Sequence, residues 1–167
     1  YLPDLSRRWG EMEARDTMIW IQPLKNEYSR DGKPDYTSYL TFNDDVTAGN
    51  IDLLVMCYQA LGDARLLDPI IRGMNSYVVT QQGPPQAGWA LQYTPDQKPA
   101  GARTYEPTAL VTHTTAASIE ALLRFYRLTG ETRFLARIPE ALDWLDAVKL
   151  GPDLAAMSGR THPTFIE

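Results

Sequence analysis

The chain has 167 residues, 44% hydrophobic and 10% aromatic, which is ordinary composition for a globular domain with a sizeable core. Its formal net charge of -5 excludes the basic field of a general nucleic-acid binder, and no apolar run approaches the length of a membrane span. The single cysteine, Cys57, excludes an internal disulfide framework. We therefore expect one domain over residues 1–167, with no nucleic-acid or membrane partner.

The first forty residues contain one weak helical pattern and one loop. Leu5, Trp9 and Met12 recur at helical spacing within residues 1–20, and residues 22–39 are rich in Pro, Gly, Asn and Asp. The chain begins at Tyr1, and its last residues are typical of an ordered segment cut short. We expect a domain that is incomplete at both ends.

An acidic cluster, Asn43-Asp44-Asp45, stands directly before the best helical pattern of the chain. Asp and Asn are preferred N-cap residues, and acids in a first turn are favoured by the helix dipole, so one carboxylate is explained by capping. Two in a row exceed what one cap needs. Calcium takes oxygen ligands from carboxylates and amides, so the alternative is part of a cation site.

Two pairs of helices follow, each predicted from apolar residues at spacings of three and four. A first helix should end near Gly62 and a third near Gly130, while Pro69 and Pro139 should lie in the first turns of the second and fourth helices. The apolar positions of the four helices are Ile51, Leu54, Val55, Tyr58 and Leu61; Leu67, Ile70, Ile71, Met74, Tyr77 and Val78; Ile119, Leu122, Leu123 and Tyr126; Leu135, Ile138, Leu142 and Leu145.

The two helix pairs match each other at an offset of 68 residues along the chain. Helix, glycine and second helix recur in register, as in Ile51 with Ile119 and Gly62 with Gly130. The offset exceeds the roughly 34 to 47 residues of common helical solenoids, and the excess lies in the irregular segment 82–109. We predict an all-α fold of repeated antiparallel helical hairpins that form part or all of an (α/α) toroid, with long loops lining a cleft.

Four motifs give the chain a resemblance to a known family. They are Thr41-Phe42-Asn43-Asp44-Asp45, Gly88-Trp89-Ala90-Leu91-Gln92-Tyr93, Ala102-Arg103-Thr104-Tyr105-Glu106-Pro107 and His162-Pro163-Thr164-Phe165-Ile166-Glu167. In this order, from about Ile19 to the end, the chain resembles the pectate lyases of polysaccharide lyase family ten. The resemblance implies a secreted or periplasmic bacterial enzyme that cleaves polygalacturonate, an acidic polysaccharide, by anti β-elimination with Ca²⁺.

The resemblance also assigns site residues. It implies that Asp44 and Asp45 hold calcium. The catalytic base of the family is an arginine, for which Arg103 and Arg160 are candidates by position. Many members carry His-Asp where this chain has Tyr93-Thr94, and Asp96 is the nearest replacement carboxylate. We expect a truncated or cleaved portion of a lyase domain, whose partner would be the remainder of its own chain.

Several loop residues are candidates for contacts with substrate. Lys98 and Arg103 could bind uronate carboxylates. Trp89, Tyr93 and Tyr105 could stack on sugar rings, although aromatic residues in long loops also anchor such loops to the core. For Arg103 an ion pair with Glu106 is the competing interpretation.

Two alternative functions stay open. A glycoside hydrolase would use two carboxylates, which requires a partner such as Glu106 or Asp96 for the acidic cluster. A non-catalytic polysaccharide-binding fragment would show aromatic stacking without an assembled cation site. We rank the lyase first, because only the lyase resemblance accounts for the loop motifs.

Overall fold

A computed structural model describes residues 1–15, 35–103 and 106–153, and this part of the chain is mostly helical. The helices are α1 (Pro3–Arg15), α2 (Val46–Leu61), α3 (Leu67–Thr80), α4 (Thr112–Thr129) and α5 (Ile138–Ala147). Three short strands are β1 (Leu40–Thr41), β2 (Gln92–Tyr93) and β3 (Pro99–Ala100). No described helix is both long enough and apolar enough to cross a membrane.

The predicted helix ends are confirmed for α2 and α4. Gly62 and Gly130 adopt left-handed φ values of 65° and 78°, and their N–H groups donate to the carbonyls of Tyr58 and Tyr126 at 2.8 and 2.7 Å. Glycine adopts this conformation without steric cost, so it stops the helix while satisfying a terminal carbonyl. A short 3₁₀ turn then leads into α3 and α5, where Pro69 and Pro139 lie in the first turn as predicted.

The three strands form a small antiparallel sheet in the order β1-β2-β3, which the all-α prediction missed. Leu40 pairs with Tyr93 and Thr41 with Gln92, and Gln92 in turn pairs with Ala100. Each strand has two residues, too few to show the alternation that identifies a strand from sequence. The predicted loop residues 22–34 lie outside the described part of the chain.

The core is one continuous cluster that joins all five helices to the sheet. A series of edge-to-face aromatic pairs runs through it, with ring centroids 4.7 to 5.6 Å apart. The rings in this series are Trp9, Phe134, Phe125, Tyr77, Phe42 and Tyr93. Because Phe42 directly precedes Asn43, the acidic cluster starts from a residue fixed in the core.

Gly88 gives a direct test of this packing. A Cβ added there would lie 2.7 Å from the Trp144 ring and 2.8 Å from the Thr115 hydroxyl oxygen. We expect Gly88→Ala to lower the free energy of unfolding by about 1–3 kcal/mol, measured by urea denaturation. Gly83→Ala is the control, since its Cβ would meet nothing within 4 Å; equal effects of the two substitutions would contradict the described packing.

Candidate functional site

The sheet brings two distant segments of the chain together. β1 leads into Asn43, β3 leads into Arg103, and both strands flank β2. The Glu106 N–H donates to the Arg103 carbonyl at 2.9 Å. The acidic cluster therefore lies beside Arg103 and Glu106, which are about sixty residues away in sequence.

The acidic cluster meets the capping interpretation in position but not in hydrogen bonding. Residues Asn43–Asp45 form a 3₁₀ turn ahead of α2, and Asp45 holds the N-cap position without a side-chain cap hydrogen bond. Asp44 and Asp45 both adopt left-handed backbone conformations, with φ of 54° and 55°. Two successive non-glycine residues in this region are strained, which is a feature of ligand-binding segments.

Arg103 bridges the two segments. Its Nη2 donates to Asp44 Oδ2 at 2.8 Å and to Glu106 Oε1 at 2.5 Å. The Glu106 carboxylate is almost fully buried, whereas the Asp44 side chain is 64% exposed. Arg103 is therefore anchored firmly on its Glu106 side and weakly on its Asp44 side, because exposed ion pairs contribute little. The ion pair between Arg103 and Glu106, which was the alternative to a substrate role for Arg103, is therefore present.

A layer of amides supports this ion-pair network. Asn43 Nδ2 donates to Glu106 Oε1 at 2.8 Å and to Asp44 Oδ2 at 3.2 Å. Gln92, from the central strand, donates from Nε2 to Asn43 Oδ1 at 3.0 Å. Asn43 is thus oriented by Gln92 and holds both carboxylates, so that the carboxylate geometry depends on the sheet.

Glu106 is the buried charge at the centre of the site. Its Oε2 also accepts a hydrogen bond from the Arg103 backbone N–H at 3.0 Å. The side-chain hydrogen bond from Arg103 lowers the pKa of Glu106 below its ordinary value, against the opposing effect of burial. The carboxylate is therefore ionised at neutral pH and serves to orient Arg103 and Asn43.

The lowered pKa of Glu106 predicts how stability changes with pH. A carboxylate whose pKa is lower in the folded state than in the unfolded state adds to the free energy of unfolding. This contribution is complete above the unfolded-state pKa of about 4.3, and it is lost as the pH falls through the folded-state pKa. We expect Glu106→Gln to flatten the loss of unfolding free energy between about pH 5 and pH 3, measured by urea denaturation. Asp143→Asn, which removes an exposed acid on α5, should keep the wild-type pH dependence; a wild-type slope in Glu106→Gln would contradict the assignment.

A cleft of about 500 Å³ opens beside these residues, and we call it the Arg103 cleft. Asp44, Asp45, Arg103 and Glu106 line it together with His113, from the first turn of α4. The remaining lining residues are Phe42, Asn43, Leu91, Pro107, Ala109, Val111, Thr114 and Ala117.

The stacking prediction for Trp89 and Tyr93 is wrong. Both side chains are 0% exposed. Trp89 Nε1 donates to the Tyr77 carbonyl at 2.9 Å, and the Tyr93 hydroxyl oxygen accepts from the Ala90 N–H at 2.7 Å. With no ring face exposed to a ligand, these residues anchor the loop to the core, which is the alternative that the sequence left open. Burial also raises the pKa of Tyr93.

The other residues predicted to contact substrate lie either away from the Arg103 ion-pair network or outside the described residues. Lys98 is exposed and pairs with Asp96 at 3.0 Å, while Asp96 also accepts from the Thr94 hydroxyl at 2.7 Å. Asp96 is thus engaged within its own turn, and it does not line the Arg103 cleft. Tyr105 and Arg160 lie outside the described residues.

Within the described ranges, no group of three His, Cys, Asp or Glu side chains is arranged to hold a metal ion. Asp44 and Asp45 are adjacent and exposed, so they could supply two carboxylates of a calcium shell, which takes six to eight oxygen ligands. The donor set fits a cation that is shared with water and a bound anionic ligand. It does not fit a cation enclosed by the described protein groups alone.

Sequence reasoning reached the carboxylates and Arg103 but missed the amides that organise them. Asn43 was noticed only as part of the acidic motif, and Gln92 only as part of the Trp-x-x-Gln motif. The available signal was that both amides directly adjoin charged or aromatic motif residues. Their pairing required the register of the sheet.

Comparison with known proteins adds no family to this description. No protein-family model, no curated protein and no solved structure matches the chain.

Proposed function

We propose that the chain belongs to a calcium-dependent polysaccharide lyase, similar to the pectate lyases of family ten, that cleaves polygalacturonate by anti β-elimination. One observation carries the proposal: two of the motifs behind the resemblance meet at one cleft and are joined by the Arg103–Asp44 ion pair. Neither the helix pattern nor composition requires that contact.

Asp44 and Asp45 are the proposed calcium ligands. Asp45 holds the N-cap position of α2 without a side-chain cap hydrogen bond, and both residues adopt left-handed backbone conformations, so their carboxylates are not committed to the helix end. A divalent cation bound there supplies charge stabilisation to the C6 carboxylate of a uronate when the C5 proton is removed. The cation would also allow a chain with net charge -5 to bind a polyanion.

Arg103 is better suited to holding a uronate carboxylate than to removing the C5 proton. Its guanidinium lies between Asp44 and Glu106, and two anions stabilise the protonated form. A substrate carboxylate can replace Asp44, since that contact is the exposed one, while Glu106 keeps the guanidinium in place. We therefore assign Arg103 as a carboxylate clamp and leave the base to another group.

The arrangement of the helices supports the toroid fold that goes with this proposed function. Two helix pairs, α2 with α3 and α4 with α5, each have a glycine-terminated first helix and a 3₁₀ connection. Their register at 68 residues supports the interpretation as repeated antiparallel hairpins of an (α/α) toroid. The Arg103 cleft lies at the starts of α2 and α4, where the long connecting segments arrive.

The glycoside hydrolase alternative is less compatible with the site. Hydrolysis requires a proton donor with a raised pKa, whereas Arg103 lowers the pKa of Glu106. The binding-fragment alternative loses its stacking surface at Trp89 and Tyr93, because both are buried. Elimination therefore remains the function that the described residues support best.

The product distinguishes the three functions. The protein should be incubated with polygalacturonate and Ca²⁺ while the ultraviolet absorbance of unsaturated uronides is recorded. Calcium-dependent absorbance is the expected result. New reducing ends without absorbance would indicate hydrolysis, and retained polymer affinity without either product would indicate a binding fragment.

A further inference from the structure

His113 lies in the Arg103 cleft on a backbone that the core holds in place. It is the second residue of α4, it is exposed, and it lines the cleft. The Val111 N–H donates to the Trp89 carbonyl at 2.9 Å, and the Thr115 Oγ1 accepts from the Trp89 N–H at 3.0 Å. Trp89 therefore fixes residues on both sides of His113 along the chain. Functional side chains are held most precisely by rigid elements of this kind.

We propose that His113 is the base that removes the C5 proton of the uronate. The proposal rests on the proposed function, in which Arg103 holds the uronate carboxylate. Because C5 carries that carboxylate, a uronate clamped by Arg103 has its C5 proton in the cleft that His113 also lines. The substrate can meet an exposed imidazole on the cleft wall without displacing the buried Glu106.

The other titratable groups that line the cleft do not suit this step. Two anions keep Arg103 protonated, and the carboxylate of Glu106 is almost fully buried. Asp44 and Asp45 are assigned to the cation. The remaining lining residues are apolar or carry only amide or hydroxyl groups, which do not accept a proton at neutral pH. Histidine ordinarily titrates at about pH 6.5, so a neutral imidazole accepts protons at roughly pH 7 to 8.

The elimination balances with water as its only co-reactant. The C5–H bond breaks, and the proton goes to the unprotonated imidazole nitrogen of His113. The electron pair of that bond forms the C4–C5 double bond while the C4–O bond breaks, and the departing oxygen takes a proton from water. Arg103 stabilises the charge that develops on the carboxylate. The imidazolium then returns its proton to the solvent, which His113 reaches because it is exposed.

The test removes the imidazole and then supplies it from solution. We expect His113→Ala to lower kcat for unsaturated uronide formation from polygalacturonate roughly 10²- to 10⁴-fold. KM and the calcium affinity measured by isothermal titration should stay close to their wild-type values, because neither depends on the base. Added imidazole should restore part of the rate, and the restored rate should follow the fraction of neutral imidazole across pH. Glu120→Ala, an exposed titratable residue of α4 that does not line the Arg103 cleft, should keep the wild-type rate.

A second variant separates a base from a hydrogen-bonding role. His113→Asn keeps a hydrogen-bonding side chain without a basic nitrogen, so it should lose as much activity as His113→Ala. Wild-type activity in either variant, or a loss that imidazole does not restore, would overturn the assignment of His113 and leave the lyase function standing. Normal activity in His113→Ala together with its loss in Arg160→Ala would assign the base to Arg160 instead. If the wild-type protein forms no unsaturated product, the lyase function itself fails, and the role of His113 fails with it.

Discussion

Arg103→Ala should reduce the rate of polygalacturonate cleavage roughly 10²- to 10³-fold, the effect of removing one well-placed charged donor from a site. The Arg103 guanidinium donates both to Asp44 of the acidic cluster and to the buried Glu106. Its loss removes the carboxylate clamp and leaves Glu106 without its charged partner. The initial rate of unsaturated uronide formation measures the effect, at substrate concentrations that separate kcat from KM.

Two further variants isolate the role of the guanidinium. Arg103→Lys keeps the charge but loses the planar fork, so it should retain activity between that of the wild type and Arg103→Ala. Arg65→Ala removes an exposed arginine that pairs only with its neighbour Asp63 among the described contacts, and it should leave the rate unchanged. Equal rates for Arg103→Ala and Arg65→Ala would exclude Arg103 from the site.

Asp44→Asn and Asp45→Asn should each weaken calcium binding at least about tenfold, because each removes one of the two proposed carboxylate ligands. Asparagine tolerates the left-handed backbone that both positions adopt, so the substitution changes charge while preserving conformation. Isothermal titration with calcium alone measures the effect without requiring turnover. Asp143→Asn on α5 is the control for loss of an exposed acid.

Glycine at Asp45 separates ligand binding from stability. Because φ is 55° there, Asp45→Gly relieves backbone strain, and the free energy of unfolding should stay unchanged or rise by up to about 1 kcal/mol. Calcium affinity should fall as in Asp45→Asn. A destabilised Asp45→Gly variant with normal calcium affinity would show that the acid is structural.

The helices were predictable because their signals are local. Apolar spacing located α2 to α5, and single residues marked their limits: Gly62 and Gly130 at the ends of first helices, Pro69 and Pro139 at the starts of second ones. The sheet carries no such signal. β1 and β2 pair residues about fifty positions apart, and pairing at that range is set by tertiary packing. β2 and β3 pair locally, but strands of two residues are too short to show alternation in the sequence.

The site was predictable in its charges and less so in its geometry. The excess of acids before α2 pointed to Asp44 and Asp45, and Asp45 holds the N-cap position of α2 without a side-chain cap hydrogen bond. The prediction that Trp89 and Tyr93 stack on sugar rings was wrong because both side chains are buried. Aromatic rings pack in a protein core as readily as they stack on a sugar, and the sequence does not distinguish the two. The support of Asn43 by Gln92 depended on strand register, which the sequence does not encode locally.

The central claim is that calcium links the acidic cluster to a uronate held by Arg103. Titration of an oligogalacturonate into the protein, once with Ca²⁺ and once with a chelator, tests it independently of turnover. We predict binding with Ca²⁺ that is lost in the chelator and in Asp44→Asn. Equal affinity with and without calcium, or full affinity in Asp44→Asn, would contradict the account.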